Sequence, residues 1–181
     1  RFAGAVLSTS RIRMVRQTVL KALAEDIGET CNIAMPERHA MVYLDRVETK
    51  WPLRIQLPIG TEVPFHSTAS GKMYLSTLKP RLFSKYLSIV ALDAQTEFTL
   101  TDPNALQAEI EVIRAQGYAT DNEEFMKGMV AVAVPLLDSQ NRLMSTLSVH
   151  APTQRVKLSD LKAHLPRLQS AAAELSELVL Q

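Results

Sequence analysis

The densest run of groups able to hold an anion is Ser67-Thr68-Ala69-Ser70-Gly71-Lys72. At first sight it is a phosphate loop. That motif needs glycine five positions before Gly71 and Ser or Thr after the lysine, whereas His66 and Met73 stand there. The Ser-x-x-Lys pattern of acylating enzymes also fails, because Ala69 occupies the serine position. What remains is a loop of small residues feeding a helix N-terminus. Free backbone N–H groups there attract an anion such as a carboxylate. Ordinary capping by Ser67 or Thr68 would use the same residues.

A second cluster, Asp121, Glu123 and Glu124, falls between two strand-like runs. It could hold a metal with His66 or His150, bond a ligand hydroxyl, or form a solvated turn. The chain has no Gly-x-Ser-x-Gly elbow, no His-Glu-x-x-His and no Cys-His pairing signal. An enzymatic reading therefore rests on Asp121 and His150 alone. The single cysteine, Cys31, excludes an internal disulfide and a Cys-only zinc site. It fits a reducing cytoplasm and reads as a small buried apolar residue.

The hairpin over 129–150 is the most informative region. Side chains alternate across a strand. Leu143, Ser145, Leu147 and Val149 share one face of the return strand; Met144, Thr146, Ser148 and His150 share the other. On the partner strand Val130, Val132 and Val134 oppose Met129, Ala131 and Ala133. One face is a core face. The other combines small apolar residues with hydroxyls and an imidazole, the usual make-up of a small-molecule pocket.

These residues need a scaffold, and 181 residues suffice for one domain. Hydrophobic residues at 46% and charged residues at 22% match a folded globular chain and argue against global disorder. The longest apolar run, 129–137, is far short of the roughly 20 residues of a membrane helix. The net charge of +1 makes no global case for nucleic acid or membrane. Locally, Arg1, Arg11, Arg13, Arg16 and Lys21 precede the first acidic residue, Glu25. Such a basic segment lies near nucleic acid or is a solvated helix face. Arg1 is not a natural start, so the chain reads as a piece of something longer.

Spacings of three and four predict a helix over 10–27, with Ser10 as its cap and Gly28 at its end. Strands are expected over 30–35, 40–47 and 53–57, the last from clean alternation. Helices follow from about Ser67 to just before Pro80, and over 81–87. Asp102 and Pro103 open another that Gly117 closes. Short strand 118–120 and the hairpin precede a last helix over 159–180, broken by Pro166. The whole is an α+β domain around one mostly antiparallel sheet.

Three blocks in this order and spacing resemble one known family. They are Pro64-Phe65-His66-Ser67-Thr68-Ala69-Ser70-Gly71-Lys72; Ile113-Arg114-Ala115-Gln116-Gly117-Tyr118-Ala119-Thr120-Asp121 followed by Glu123-Glu124-Phe125 and Gly128; and Val132-Ala133-Val134-Pro135 through Leu147-Ser148-Val149 to Pro152-Thr153. Gly28-Glu29-Thr30 and Tyr43-Leu44-Asp45-Arg46-Val47-Glu48 also fit. The chain resembles the effector-binding domain of the isocitrate-lyase-regulator type (IclR family) of bacterial transcription factors, across essentially its whole length.

The resemblance implies a GAF/profilin-like fold with its sheet flanked by helices. It implies that residues 1–9 are the remnant of a linker to an absent N-terminal winged helix-turn-helix, and that 10–181 form the effector-binding and oligomerisation domain. The partners implied are a small organic acid or aromatic metabolite, DNA through the absent part, and further copies in a homodimer or homotetramer. No membrane and no cofactor are implied. Ser70 and Gly71 main-chain groups would hold the ligand's oxygens and Asp121 a polar ligand atom or a water. Ala131, Ser148 and His150 would line the pocket from the hairpin, with Leu53, Gln56 and Met129 as walls. Some members bind a metal, for which His66, Asp121 and His150 are the candidates. The family often has cysteine at position 131 and serine at 150. Ala131 cannot donate a hydrogen bond, and His150 is larger and able to carry charge, so a smaller or more anion-selective site is expected. A small enzyme using Asp121 and His150, or a ligand-free dimerisation module, are the competing readings.

Overall fold

The computed structural model describes the backbone of residues 2–179 and the side chains of residues 10–178. Arg1 and the expected Leu180 end of the last helix lie outside the described residues. The chain runs α1 (Phe2–Ile27), β1 (Thr30–Pro36), β2 (Met41–Val47), β3 (Glu62–Val63), α2 (Ala69–Thr77), α3 (Pro80–Ile89) and α4 (Pro103–Gln116). It continues through β4 (Ala119–Asn122), β5 (Met129–Leu137), β6 (Leu143–Pro152), α5 (Leu158–Lys162) and α6 (Leu165–Val179). The six strands form one sheet in the order β3-β2-β1-β6-β5-β4, with every neighbouring pair antiparallel. The α+β expectation holds.

The alternation of β5 and β6 sorts the two faces. Val130, Val132, Val134, Leu147 and Val149 pack with Leu20 and Leu23 of α1, Leu161 of α5 and Leu168 and Leu175 of α6. Ala131 and Ala133 face the other way, into a layer built by Met73 and Leu75 of α2, Phe83 of α3 and Ile110 and Ile113 of α4. Each fully buried side chain of this size is worth about 1.5–3 kcal/mol relative to exposure. Small residues on the second face let α2 pack closely over β5 and β6. On the first face α1 is also tied to the sheet by polar bonds, since Arg16 Nε and Gln17 Nε2 donate to Asp45 of β2 at 2.6 and 3.0 Å.

Several boundaries differ from expectation. Ser10 caps nothing: it is exposed in the middle of α1, because residues 2–9 continue the helix backbone. Gly28 does end that helix, at φ 80°, with its N–H on the Ala24 carbonyl. The strand expected over 53–57 does not form. Its carbonyls are taken by guanidinium groups instead, Leu53 O by Arg155 Nη1 at 2.9 Å and Ile55 O by Arg46 Nη2. The third strand is β3, in the loop beyond. The last helix breaks before Pro166, which lies in the first turn of α6, where proline's missing N–H costs nothing. Asp102 and Gly117 bound α4 as expected: Asp102 accepts from Asn104 N and Ala105 N, and Gly117 has φ 79°.

Candidate ligand-binding site

Two cross-strand rows cross the face under α2. One is Arg46–Asn32–Ser148–Ala133, from β2 through β1 and β6 to β5. The next is Thr30–His150–Ala131–Asp121, from β1 to β4. The helix α2 packs across β4, β5 and β6 above these rows. The polar residues expected from the hairpin and the Ser67–Lys72 run therefore meet on one buried face.

The start of α2 follows from its sequence. Thr68 Oγ1 accepts from Gly71 N at 3.0 Å and donates to Pro64 O at 2.7 Å. Gly71 is required by space: a Cβ there would lie 2.3 Å from Phe65 O. The Gly71 N–H, expected to hold a ligand oxygen, is thus spent on the cap. The amides of Ala69 and Ser70 have no intrahelical acceptor by helix geometry.

Five buried polar atoms lack a partner among the described residues: Asn32 Nδ2, Ser67 Oγ, Ser70 Oγ, Asp121 Oδ2 and His150 Nδ1. Their side chains come from β1, the start of α2, β4 and β6. Leaving a buried polar group unsatisfied costs about 1–3 kcal/mol each. Protein interiors normally avoid this, so such atoms on the sheet face and at the start of the helix packed over it point to a place built for something else.

Each carries its own electrostatics. Asp121 is fully buried. Its Oδ1 accepts from Glu124 N at 2.7 Å and Phe125 N at 3.3 Å. Burial first, and the nearby Glu124 carboxylate second, push its pKa up to about 7, against those two backbone bonds. His150 Nε2 shares a 3.2 Å hydrogen bond with Ser148 Oγ, and its ring meets Tyr43 edge-on at 6.0 Å. Burial, helped by the Arg46 charge, pushes its pKa down to about 3. Burial thus favours the neutral ring, one of the states the residue type leaves open to His150.

The cation on this face is Arg46, a residue the sequence reading left unassigned. Its side chain is 4% exposed. It donates to Asn32 Oδ1 at 2.7 Å and to Ile55 O, and reaches one oxygen of the more exposed Glu48 at 3.4 Å. A charged residue on a strand reads as a solvent face. The available signal was that Arg46 stands opposite Asn32, a polar residue inside an otherwise apolar strand.

The remaining expected residues sort as follows. Met129 and Ala131 are buried on the face. Leu53 and Gln56 stand exposed on the loop before β3, outside the buried cluster, because that segment never joins the sheet. His66 Nε2 is engaged with Asp93 O at 2.8 Å, away from Asp121 and His150. Glu123 is taken by Gly128 N and Glu124 by Lys72 and Asn122 N. No group of three metal-ligating side chains occurs among the described residues. No hydrogen bond joins Asp121 to His150, which sit two strands apart. A groove of about 820 Å³ lies between α1 and the turn after β2, lined by Thr18, Lys21, Val47 and Trp51, and it contains none of the unpartnered atoms.

Comparison with known proteins bears on this face. The family model described as the bacterial transcriptional regulator IclR C-terminal domain matches residues 4–177. A probable transcriptional regulator, SauR of Cupriavidus necator, is 39% identical over 160 residues, covering 88% of this chain and 64% of that protein. The chain thus spans under two thirds of the length of that curated relative. The crystal structure of the Thermotoga maritima IclR is 31% identical with a TM-score of 0.85, covering 92% of this chain and 67% of that one. The inducer-binding domain of Acinetobacter PobR, a double mutant in complex with 3-hydroxybenzoic acid, is 28% identical with a TM-score of 0.83, covering 90% and 96%.

Proposed function

The chain belongs to the IclR family of bacterial transcriptional regulators through their C-terminal domain, and on that premise we propose that it senses a small organic acid or aromatic metabolite on the face under α2. The observation that carries this is the set of unpartnered buried polar atoms, three on that sheet face at Asn32, Asp121 and His150 and two, Ser67 and Ser70, at the start of the helix above it. The relative solved with 3-hydroxybenzoic acid supports an acidic effector. Ser70, Asp121, Ser148 and His150 are the polar anchors, and Met129 and Ala131 the apolar floor. Gly71 contributes by letting α2 approach Phe65. The ligand-free reading is disfavoured, because a filled dimerisation core would not leave these atoms unsatisfied. The relatives are regulators, which sets aside catalysis by Asp121 and His150.

The mechanism is linkage. An effector that binds one arrangement of the assembled protein better shifts the population toward it. In our reading the assembly is a homodimer or homotetramer in the cytoplasm, and an N-terminal winged helix-turn-helix, attached through the segment around residues 1–9, makes the DNA contact. Among the described residues no helix is long and apolar enough to cross a membrane.

Thermal-shift measurements of this chain against a panel of small carboxylates, 3-hydroxybenzoate included, test the proposal. At least one should raise Tm, and Ser148→Ala and His150→Ala should reduce that rise. A panel without any hit, or hits indifferent to both substitutions, overturns the assignment.

A further inference from the structure

The hydrogen-bonding sense of the face narrows the ligand further, on the footing of the effector reading above. Asn32 Nδ2 can only donate, since the amide's oxygen is already held by Arg46 Nη1. The Ser67 and Ser70 hydroxyls are free to donate. When Ser148 donates to His150 Nε2, the proton of the neutral ring sits on Nδ1, another donor. Asp121 Oδ2 faces the site with no cation on it, because Lys72 Nζ is spent on Glu124 at 2.8 and 2.9 Å and on Glu109 at 3.1 Å. With a pKa near 7, Asp121 protonates readily and then donates as well. Four of the five unpartnered atoms thus present hydrogen, and Asp121 Oδ2 does so in its protonated form.

These donors are spread too widely for one carboxylate. Asn32 on β1 and Asp121 on β4 are three strands apart. Arg46 and Asn32 stand on β2 and β1, while α2 lies chiefly over β4, β5 and β6, so the donors come from two separate parts of the face. Beside Asn32 stands the buried Arg46 guanidinium, whose one carboxylate partner is the more exposed Glu48. The three guanidinium nitrogens each make one bond, to Glu48, Asn32 and Ile55 O, so Nη1 and Nη2 each keep an N–H for a further acceptor at that end of the face. At the other side, the first turn of α2 offers amides together with two unpartnered hydroxyls.

We propose that the site takes a short molecule with two oxyanion groups, a dicarboxylate in its simplest form. One group lies against Ser67, Ser70 and the first turn of α2, and the other against Asn32 and Arg46. Arg46 and Asn32 are the specificity-determining pair, since they decide whether the second end of the ligand must be charged.

The test is calorimetric titration of this chain with malonate, succinate and glutarate, set against their monoamides and against 3-hydroxybenzoate. The best dicarboxylate should bind about tenfold or more tighter than its monoamide, the scale of a charge-assisted bond. Arg46→Met should erase that ratio, and Asn32→Asp should reverse it by placing a like charge at that end. The wild-type ratio decides the question even where a variant fails to fold. If a monoamide or 3-hydroxybenzoate binds as tightly as every dicarboxylate, the two-anion inference is overturned while the effector site stands. If no compound of either set binds, both fall.

Discussion

Lys72 Nζ lies 2.8 and 2.9 Å from the two carboxylate oxygens of Glu124, a pair made across 52 residues of sequence. Both side chains are buried, and Glu124 in turn accepts from Asn122 N. The pair therefore bolts the second turn of α2 to the end of β4, and so sets Ser70 over Asp121's strand.

Removing one member of that pair strands the other. Lys72→Met should cost about 3–5 kcal/mol, the range for an uncompensated buried charge. Lys72→Met combined with Glu124→Gln should cost less than the single change. Urea denaturation of the three proteins checks the order.

Gly71 and Gly60 predict opposite kinds of damage. A Cβ at Gly71 would press into the Phe65 backbone, 2.3 Å from its oxygen and 2.4 Å from its Cα. Gly60 has φ 87° but open space around it. Gly60→Ala should cost about 1 kcal/mol of backbone strain. Gly71→Ala should cost several times more, because α2 must move, and should also abolish any effector-induced Tm rise.

Asp121 and His150 act oppositely with pH. The Asp121 pKa is raised to about 7, so the fold holds that proton more tightly than the unfolded chain does. Its stability contribution is full below about pH 4 and drains as pH rises to about 7. The His150 pKa is lowered to about 3, so the unfolded chain takes up the proton first, and stability drains as pH falls from about 6.5. Asp121→Asn should therefore gain on wild type between pH 4 and 7.5, and His150→Gln should gain as pH falls from 7 to 4. Denaturation midpoints over pH 4 to 8 read both slopes.

Arg155 pins the loop before β3. It pairs with both oxygens of buried Glu29 at 2.6 and 2.7 Å, donates to Leu53 O, and lies 5.3 Å from the Trp51 ring centroid. Arg155→Ala should cost about 2 kcal/mol, chiefly by leaving Glu29 buried and alone. It should also speed amide exchange over 49–57 and alter the emission of Trp51, the chain's single tryptophan.

Elements with local causes were legible in the sequence. Asp102, Pro103 and Gly117 mark α4 with capping chemistry that needs no tertiary context, and β5 matches 129–137 because a nine-residue apolar run must be buried. The two faces of the hairpin were legible for the same reason: alternation is a property of the strand itself. Residues 53–57 alternate just as well, yet form no strand. Their carbonyls are claimed by Arg46 and Arg155, one nine residues before Ile55 and the other 102 residues after Leu53. The same long-range event hid Arg46 from view, since its burial exists only once that loop folds over it. His150 was assigned to the hairpin's polar face with its charge state left open, because residue type fixes what imidazole can do and burial fixes what it does.

Asp45 and Arg46 are consecutive residues of β2, and the pleat sends them to opposite sides of the sheet. Asp45 is gripped by Arg16 and Gln17 of α1, while Arg46 stands over Asn32 on the unpartnered face. One peptide unit thus joins the hydrogen bonds of the two faces. The route from Arg46 to α1 therefore runs through β2 itself and not through the apolar layers on either side.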